Sequence, residues 1–206
     1  MSRPNLHPLL FVLDTETTGF PQNPETRCLQ LGVVAIDQKT REEISSLRLL
    51  LAPDVWGEDA EQAVKTHGIT RQRAEAEGVD QTEGWQLWVN WVKELCARPE
   101  YTGGEHKLAA WNAAFDSEIV RRWGQRVAPQ SSHFSGWPSW LVAGKYLAVQ
   151  GCLMKAYEKW MQYHAVKGSK KLTEASQRFG LGAQADIHDA LEDARMAAAV
   201  WRKMEG

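Results

Sequence analysis

Cysteine is scarce in this chain of 206 residues, and what there is does not pair. Cys28, Cys96 and Cys152 are odd in number, and no two of them form a Cys-x-x-Cys motif. That excludes a disulfide-stapled scaffold and argues against a thiolate zinc site, so we expect free thiols in a reducing compartment. Positive charge is also short: 24 Lys and Arg against 26 Asp and Glu leave a net charge of −2. A protein that coats or packages a polyanion by charge alone would be basic, so that class is excluded. One that neutralises phosphates locally with bound metal ions need not be basic. Long apolar runs are absent as well. The first run, residues 9–13, is far shorter than the roughly 20 residues of a membrane span, and it meets Asp14 and Glu16 with no cleavage site between. We therefore expect no membrane segment, no secretory signal and a cytoplasmic location.

What is present is an ordinary globular composition, 43% apolar and 24% charged, in a chain long enough for one domain with a proper core. Residues 8–13 read as a buried strand that ends in a polar turn, Asp14 to Gly19. Residues 28–37 and 43–52 read as two further strands, joined by a turn over 37–40. Residues 53–80 look polar and irregular, with one short helix at 60–66. Helical periodicity covers 83–97, where Trp85, Trp88 and Trp91 stand three apart and predict a core face. A short strand at 107–111 leads into a helix through about Trp123, with Asn112 placed to cap it. Helices are also expected at 151–163, 171–179 and from Ala190 to about Lys203. The last has an acidic capping pair, Asp189 and Glu192. Three meandering strands followed by alternating helices and strands predict an α/β fold with a mixed sheet. We read 1–206 as a single domain, with a long loop or lid at about 125–150.

The chemistry lies in three acidic elements. Asp14 and Glu16 stand two apart at a strand end, so both carboxylates face one side. Such oxygen ligands suit Mg²⁺ or Mn²⁺. Asp116 falls in the first turn of a helix that follows a strand directly. Asp193 falls in the first turn of the last helix, and His188 lies five residues earlier, just outside it. On a regular helix five steps would place the two about 140° apart, so His188 can approach Asp193 only from the preceding loop. Taken singly, each of these residues has a plain structural reading as a strand-end, helix-dipole or capping group.

In order along the chain, the three elements resemble the motifs of the DEDD exonucleases. Phe11-Val12-Leu13-Asp14-Thr15-Glu16-Thr17-Thr18-Gly19 resembles the first, Trp111-Asn112-Ala113-Ala114-Phe115-Asp116 the second, and His188-Asp189-Ala190-Leu191-Glu192-Asp193 the third. A histidine five before the last aspartate resembles the DEDDh branch. Thr66-His67-Gly68-Ile69-Thr70 and the helix segment from Lys171-Leu172 to Phe179-Gly180 also match family segments. The resemblance covers most of positions 9–200 and is nearest to the proofreading subunits of bacterial replicases and to exodeoxyribonuclease X. The chain departs from the pattern at Cys152-Leu153, where an Asp-Thr pair is common, and in its long Trp-rich stretch before it.

The resemblance implies an RNase H-like fold and a metal-dependent 3′→5′ exonuclease. Asp14, Glu16, Asp116 and Asp193 would hold two divalent ions, Mg²⁺ or Mn²⁺, and His188 would act as general base. Thr15, Thr17 and Thr18 would lie near the terminal nucleotide, with His67 and Asn112 also in reach of substrate. The expected partner is nucleic acid, DNA before RNA, with a polymerase or repair partner in trans. An exoribonuclease of the oligoribonuclease or RNase T type is the competing enzyme reading, and a non-catalytic nucleic-acid-binding module the competing reading of another class. Oligomeric state stays open, because a Trp-rich helix serves a core or an interface equally well. Trp137 and Trp140, in the irregular stretch, are the tryptophans best placed for substrate or partner, since bases stack on aromatic faces. Lys167, Lys170 and Lys171 could meet backbone phosphates, against a default of a solvated loop.

Overall fold

The structure, a computed structural model, describes residues 7–101, 106–128, 151–182 and 187–205. Strands β1 (Leu9–Thr17), β2 (Cys28–Asp37), β3 (Glu43–Leu50) and β4 (Lys107–Ala110) form one sheet in the order β3-β2-β1-β4. β1, β2 and β3 are the antiparallel meander expected from their spacing, and β4 lies parallel to β1. Seven helices accompany the sheet among the described residues. They are α1 (Ala60–His67), α2 (Arg71–Glu77), α3 (Gln81–Cys96), α4 (Ala113–Val127), α5 (Leu153–Tyr163), α6 (Leu172–Arg178) and α7 (Ala190–Glu205). None of them is long and apolar enough to cross a membrane.

Strand alternation sorts β1 onto two cores. Leu9, Phe11 and Leu13 face α3 and α4, meeting Trp88, Val92 and Trp123. Leu10 and Val12 face α5, α6 and α7, meeting Tyr157, Ala194 and Ala198. A central strand covered on both faces must be apolar at every position, which is why residues 9–13 and 28–36 read as nearly unbroken apolar runs. Trp85 and Trp88 are buried, and Trp88 stacks on Trp123 at 6.0 Å. Each such side chain contributes about 1.5–3 kcal/mol, enough together to hold a frame around a cluster of charges that disfavours folding. All three cysteines are free.

Four local expectations need correction. β1 does not end before Asp14 but runs to Thr17, because the first residues of β2 keep pairing with it as far as Thr17 and Cys28. Helix α2 breaks the stretch expected to be irregular. Thr70 caps it by accepting from the Arg73 amide at 3.2 Å, and its periodicity is faint because only Ala74 is buried. Helix α4 continues past Trp123 to Val127, so it takes up the first residues of the expected loop. Asn112 occupies the N-cap position of α4 without a side-chain capping bond. The rest of the expected lid, residues 129–150 with Trp137 and Trp140, lies outside the described residues.

Candidate active site

The alternation that builds the core also builds the site. Beyond Leu13 the ladder to β4 stops, at the pair Leu13–Ala110, and the next residues of β1 are polar. Even positions continue the face of Leu10 and Val12, so Asp14 and Glu16 point toward α7. Odd positions continue the other face, so Thr15 meets α4. The site therefore sits at the carboxyl ends of two parallel strands, beside the helix that follows one of them, which is where open α/β sheets hold their ligands.

Asp116 arrives from the first turn of α4 and is 3% exposed. Its Oδ1 accepts from the Thr15 amide at 3.1 Å and from the Thr15 hydroxyl at 2.8 Å. Asp193 arrives from the first turn of α7. His188 lies outside that helix, and its Nδ1 is 3.1 Å from Oδ2 of Asp193. One oxygen of Glu16, one of Asp193 and one ring nitrogen of His188 lie within 4.8 Å of one another.

The charges in this space are frustrated. Burial first, then the negative charges of Asp116, Glu16 and Asp193, hold the Asp14 carboxyl well above its usual range. Burial pushes Glu16 up to about 7, against an opposing pull from His188. Burial pushes Asp116 up to about 7 despite the two Thr15 bonds that favour its anion. Hydrogen bonding to Asp193 raises the His188 imidazole. Glu16 Oε1 is buried without a hydrogen-bond donor among the described residues. Such an oxygen costs free energy unless something positive meets it. Hard carboxylate oxygens from three elements, one of them unpartnered, fit divalent ions of the Mg²⁺ or Mn²⁺ kind.

Two clefts open from this point. One, of about 430 Å³, is walled by Glu16, Thr17, Phe20, Ala63, His67 and Phe115. The other, of about 510 Å³, is walled by Trp111, Met154, Lys170, Lys171, Thr173 and Asp193. Asp14, Asn112 and His188 line both. Freed from capping, the exposed Asn112 side chain stands where the clefts meet.

The remaining expected substrate residues divide. Thr17 lines the first cleft, and its hydroxyl donates to the Gly19 carbonyl. Thr15 lines it too, but its hydroxyl is given to Asp116. Thr18 is 1% exposed and its hydroxyl accepts from the Arg27 amide, which turns it away from the cleft. His67 reaches the wall with both ring nitrogens engaged. Nδ1 accepts from the Ile69 amide, so the proton sits on Nε2, which donates to the Thr17 carbonyl. Burial lowers its pKa accordingly.

Sequence reading missed the residues that seat α7. Gly32 pairs with Asp14 across the β1–β2 ladder, and a Cβ there would lie 2.2 Å from the Ala190 carbonyl carbon and the Leu191 nitrogen. Only a hydrogen at that place lets the helix rest on the strand. Gln30 pairs with Glu16, is 4% exposed, and spends its amide on the same helix end. Its oxygen accepts from the Ala190 amide at 2.8 Å and its nitrogen donates to Asp189 Oδ2 at 3.1 Å. Asp189 Oδ1 in turn caps the Leu191 and Glu192 amides, while Glu192 turns to Arg48 and Arg195 instead of closing a capping box. The His188 amide donates to the Thr66 carbonyl at the end of α1. A Leu-Gln-Leu-Gly run in a strand gives a sequence reader no periodic signal for these roles.

The fold is that of several nuclease structures. It superposes on the nuclease domain of 3′hExo, a DEDDh family member bound to rAMP, with a TM-score of 0.72 and 15% identity over 98% of this chain and 94% of that one. It also superposes on cell-death related nuclease 4, at 0.74 and 15% identity over 97% of this chain and 64% of that one. The zinc-bound complex of E. coli exonuclease I with single-stranded DNA gives 0.67 and 18% identity over 95% of this chain. The chain spans only 40% of exonuclease I. At these identities the likeness is one of architecture, the RNase H-like fold expected above. No curated protein matches the chain by sequence. A family model described as exonuclease does match, over residues 11–201, from the strand that carries Asp14 to the helix that carries Asp193, and the chain belongs to that exonuclease family.

Proposed function

We propose that this chain is a metal-dependent 3′→5′ exonuclease of the DEDDh type that removes nucleotides from single-stranded or frayed DNA ends. Asp14, Glu16, Asp116 and Asp193 hold two divalent ions, Mg²⁺ or Mn²⁺. When bound, such ions make water nucleophilic and neutralise charge on the attacking and leaving oxygens. The observation that carries the reading is the convergence of mutually repelling carboxylates at the mouth of two clefts, with an unpartnered Glu16 oxygen and with Asp193 3.1 Å from the His188 imidazole. With Nδ1 turned to Asp193, the neutral His188 ring has Nε2 as its basic nitrogen, and that atom takes the proton of the attacking water. Thr15 keeps the Asp116 carboxylate aimed into the site. Asn112, Thr17 and the His67 wall border the terminal nucleotide, and Thr18 supports the turn behind them. The protein works in the cytoplasm, beside a polymerase or repair partner.

The test is digestion of matched 5′-labelled single-stranded DNA and RNA oligomers with Mg²⁺, with Mn²⁺ and with EDTA, beside an Asp14→Ala control. A metal-dependent ladder that shortens from the 3′ end, faster on DNA and absent in the control, is the expected result. A faster RNA ladder moves the assignment to the exoribonuclease branch. Binding of either strand without cleavage under any metal replaces it with a non-catalytic module.

A further inference from the structure

The chemistry just described uses only the floor of the second cleft, which opens on Asp14, Asn112, His188 and Asp193, and leaves its other wall unassigned. Its walls differ from those of the first cleft. Among the described residues, the lining of the first cleft holds no lysine or arginine and carries Asp59 besides the catalytic acids. The second is bordered by Lys170 and Lys171. Both lysines are exposed, so neither charge has been withdrawn from water.

The lysine segment is not a loose loop. The Trp111 indole N–H donates to the Lys170 carbonyl at 3.2 Å, which ties the segment to the residue before Asn112. The Ser169 amide donates to Glu174, and the Lys171 amide donates to the Ser169 hydroxyl, both at 3.1 Å. Arg178 closes the base of the turn by donating to the Lys167 carbonyl. A main chain without regular structure is thus held in one place by four bonds, two of them to residues of α6. Among the described residues, the one acid that answers either lysine, Glu158 on α5, meets Lys170 as a half-exposed pair at 3.1 Å. Pairs of that kind are worth little and exchange readily for a phosphate.

We infer that the Lys170–Lys171 cleft is the binding track for the part of the strand lying 5′ to the scissile bond, with the two ammonium groups on its backbone phosphates. This rests on the exonuclease reading above. The assignment of arms follows from charge. The terminal nucleotide carries one phosphodiester, already at the metal-binding acids, so its pocket needs no cation of its own. The rest of the strand carries one negative charge per nucleotide and must leave a strongly acidic centre along a path that offers the opposite sign. Of the two clefts that open on the acids, only the second does so. Lysine also suits the task, because it meets phosphates as a point charge without reading bases.

The test compares two substrates in the full chain. One is a 5′-labelled single-stranded 20-mer. The other is the p-nitrophenyl ester of thymidine 5′-monophosphate, in which nitrophenol replaces the whole upstream strand. For the Lys170→Ala/Lys171→Ala variant, KM on the 20-mer is expected to rise about tenfold. Its salt slope should fall by about 0.7 for each phosphate that a lysine no longer neutralises. The loss in kcat/KM should be at least five times greater on the 20-mer than on the ester. Equal losses on both substrates, or an unaltered KM and salt slope on the 20-mer, overturn the track. Wild-type protein that hydrolyses neither substrate overturns the exonuclease reading itself, which is a separate result.

Discussion

Helices α4 and α7 each deliver one aspartate from a first turn, but they are aimed by different means. Asp116 is aimed from within the constellation. Thr15, next to both Asp14 and Glu16, gives it an amide and a hydroxyl. Asp193 is aimed from outside. Its helix rests on Gly32, is tied to Gln30, and is preceded by a loop whose His188 amide is held by Thr66. One carboxylate thus depends on a neighbour adjacent to its fellow acids, and the other on a strand and a helix with no acid of their own in the site. The difference separates a support built into the acidic cluster from one built outside it, and each can be broken alone.

The largest effects should come from the acids themselves, where the two helices are alike. Asp116→Asn and Asp193→Asn should each lower turnover of a single-stranded oligomer by about 10³-fold, the equivalent of roughly 4 kcal/mol. A variant of either that keeps a tenth of wild-type turnover removes that residue from the set. His188→Ala should cost about 10²-fold with normal folding, and near-wild-type turnover at pH 7 would withdraw the base assignment.

Next come the supports, where the helices should part. Gly32→Val places carbon where Ala190 and Leu191 already lie, so α7 must move off β2. A displacement of about 1 Å at the reacting groups costs on the order of 10²-fold. Gln30→Ala leaves the helix seated but removes two of its ties, and about tenfold is expected. Thr15→Val removes one of the two donors to Asp116 and should weaken metal binding by about tenfold. It should do so without moving α7, which near-ultraviolet circular dichroism of the tryptophans would report. If Gly32→Val costs no more than Thr15→Val, the helices are not aimed differently and the comparison fails.

The acids were legible because each motif is local. Asp14 with Glu16, Asp116, and His188 with Asp193 each occupy a short window whose strand or helix period fixes which way the side chains point. The meander was legible for the same reason, through apolar runs and the turn that Asp37 stabilises by accepting from the Lys39 and Thr40 amides. What escaped was non-local or weakly patterned. Gly32 and Gln30 matter through partners some 160 residues away in sequence, as the Gln30–Ala190 bond is. Helix α2 is stabilised by a cap and by Arg71–Glu75 and Arg73–Glu77 pairs, not by an apolar stripe. The cap expected of Asn112 is not formed, although an asparagine at a helix start commonly provides one, and its side chain lines both clefts instead. His67 sits in a motif, but only the folded chain shows both of its nitrogens occupied.

The smallest expected effect is one of stability, and it reports whether the acids are as frustrated as their geometry says. Burial raises Glu16 from its ordinary value of 4.5 to about 7. Between those values the folded protein holds a proton that the unfolded chain has released. Stability therefore falls as pH rises across that window and levels off above it. His67 titrates with the opposite sign, since burial keeps it neutral and its support is lost as pH falls. A plain pH curve would mix these two with Asp14, Asp116 and His188, all raised and so all of the sign of Glu16, and the comparison is therefore with Glu16→Gln, which mimics the protonated carboxyl. Without metal, the variant should melt within about 1 °C of wild type at pH 5 and about 2–4 °C above it at pH 8, the shift that roughly 1 kcal/mol produces in a domain of this size. Saturating Mg²⁺ or Mn²⁺ should raise wild type at pH 8 and raise the variant less, because the charge that invited the ion is gone. A variant that melts below wild type at pH 8 without metal would mean that Glu16 is settled by other groups, and the case for an ion at its unpartnered oxygen would fall with it.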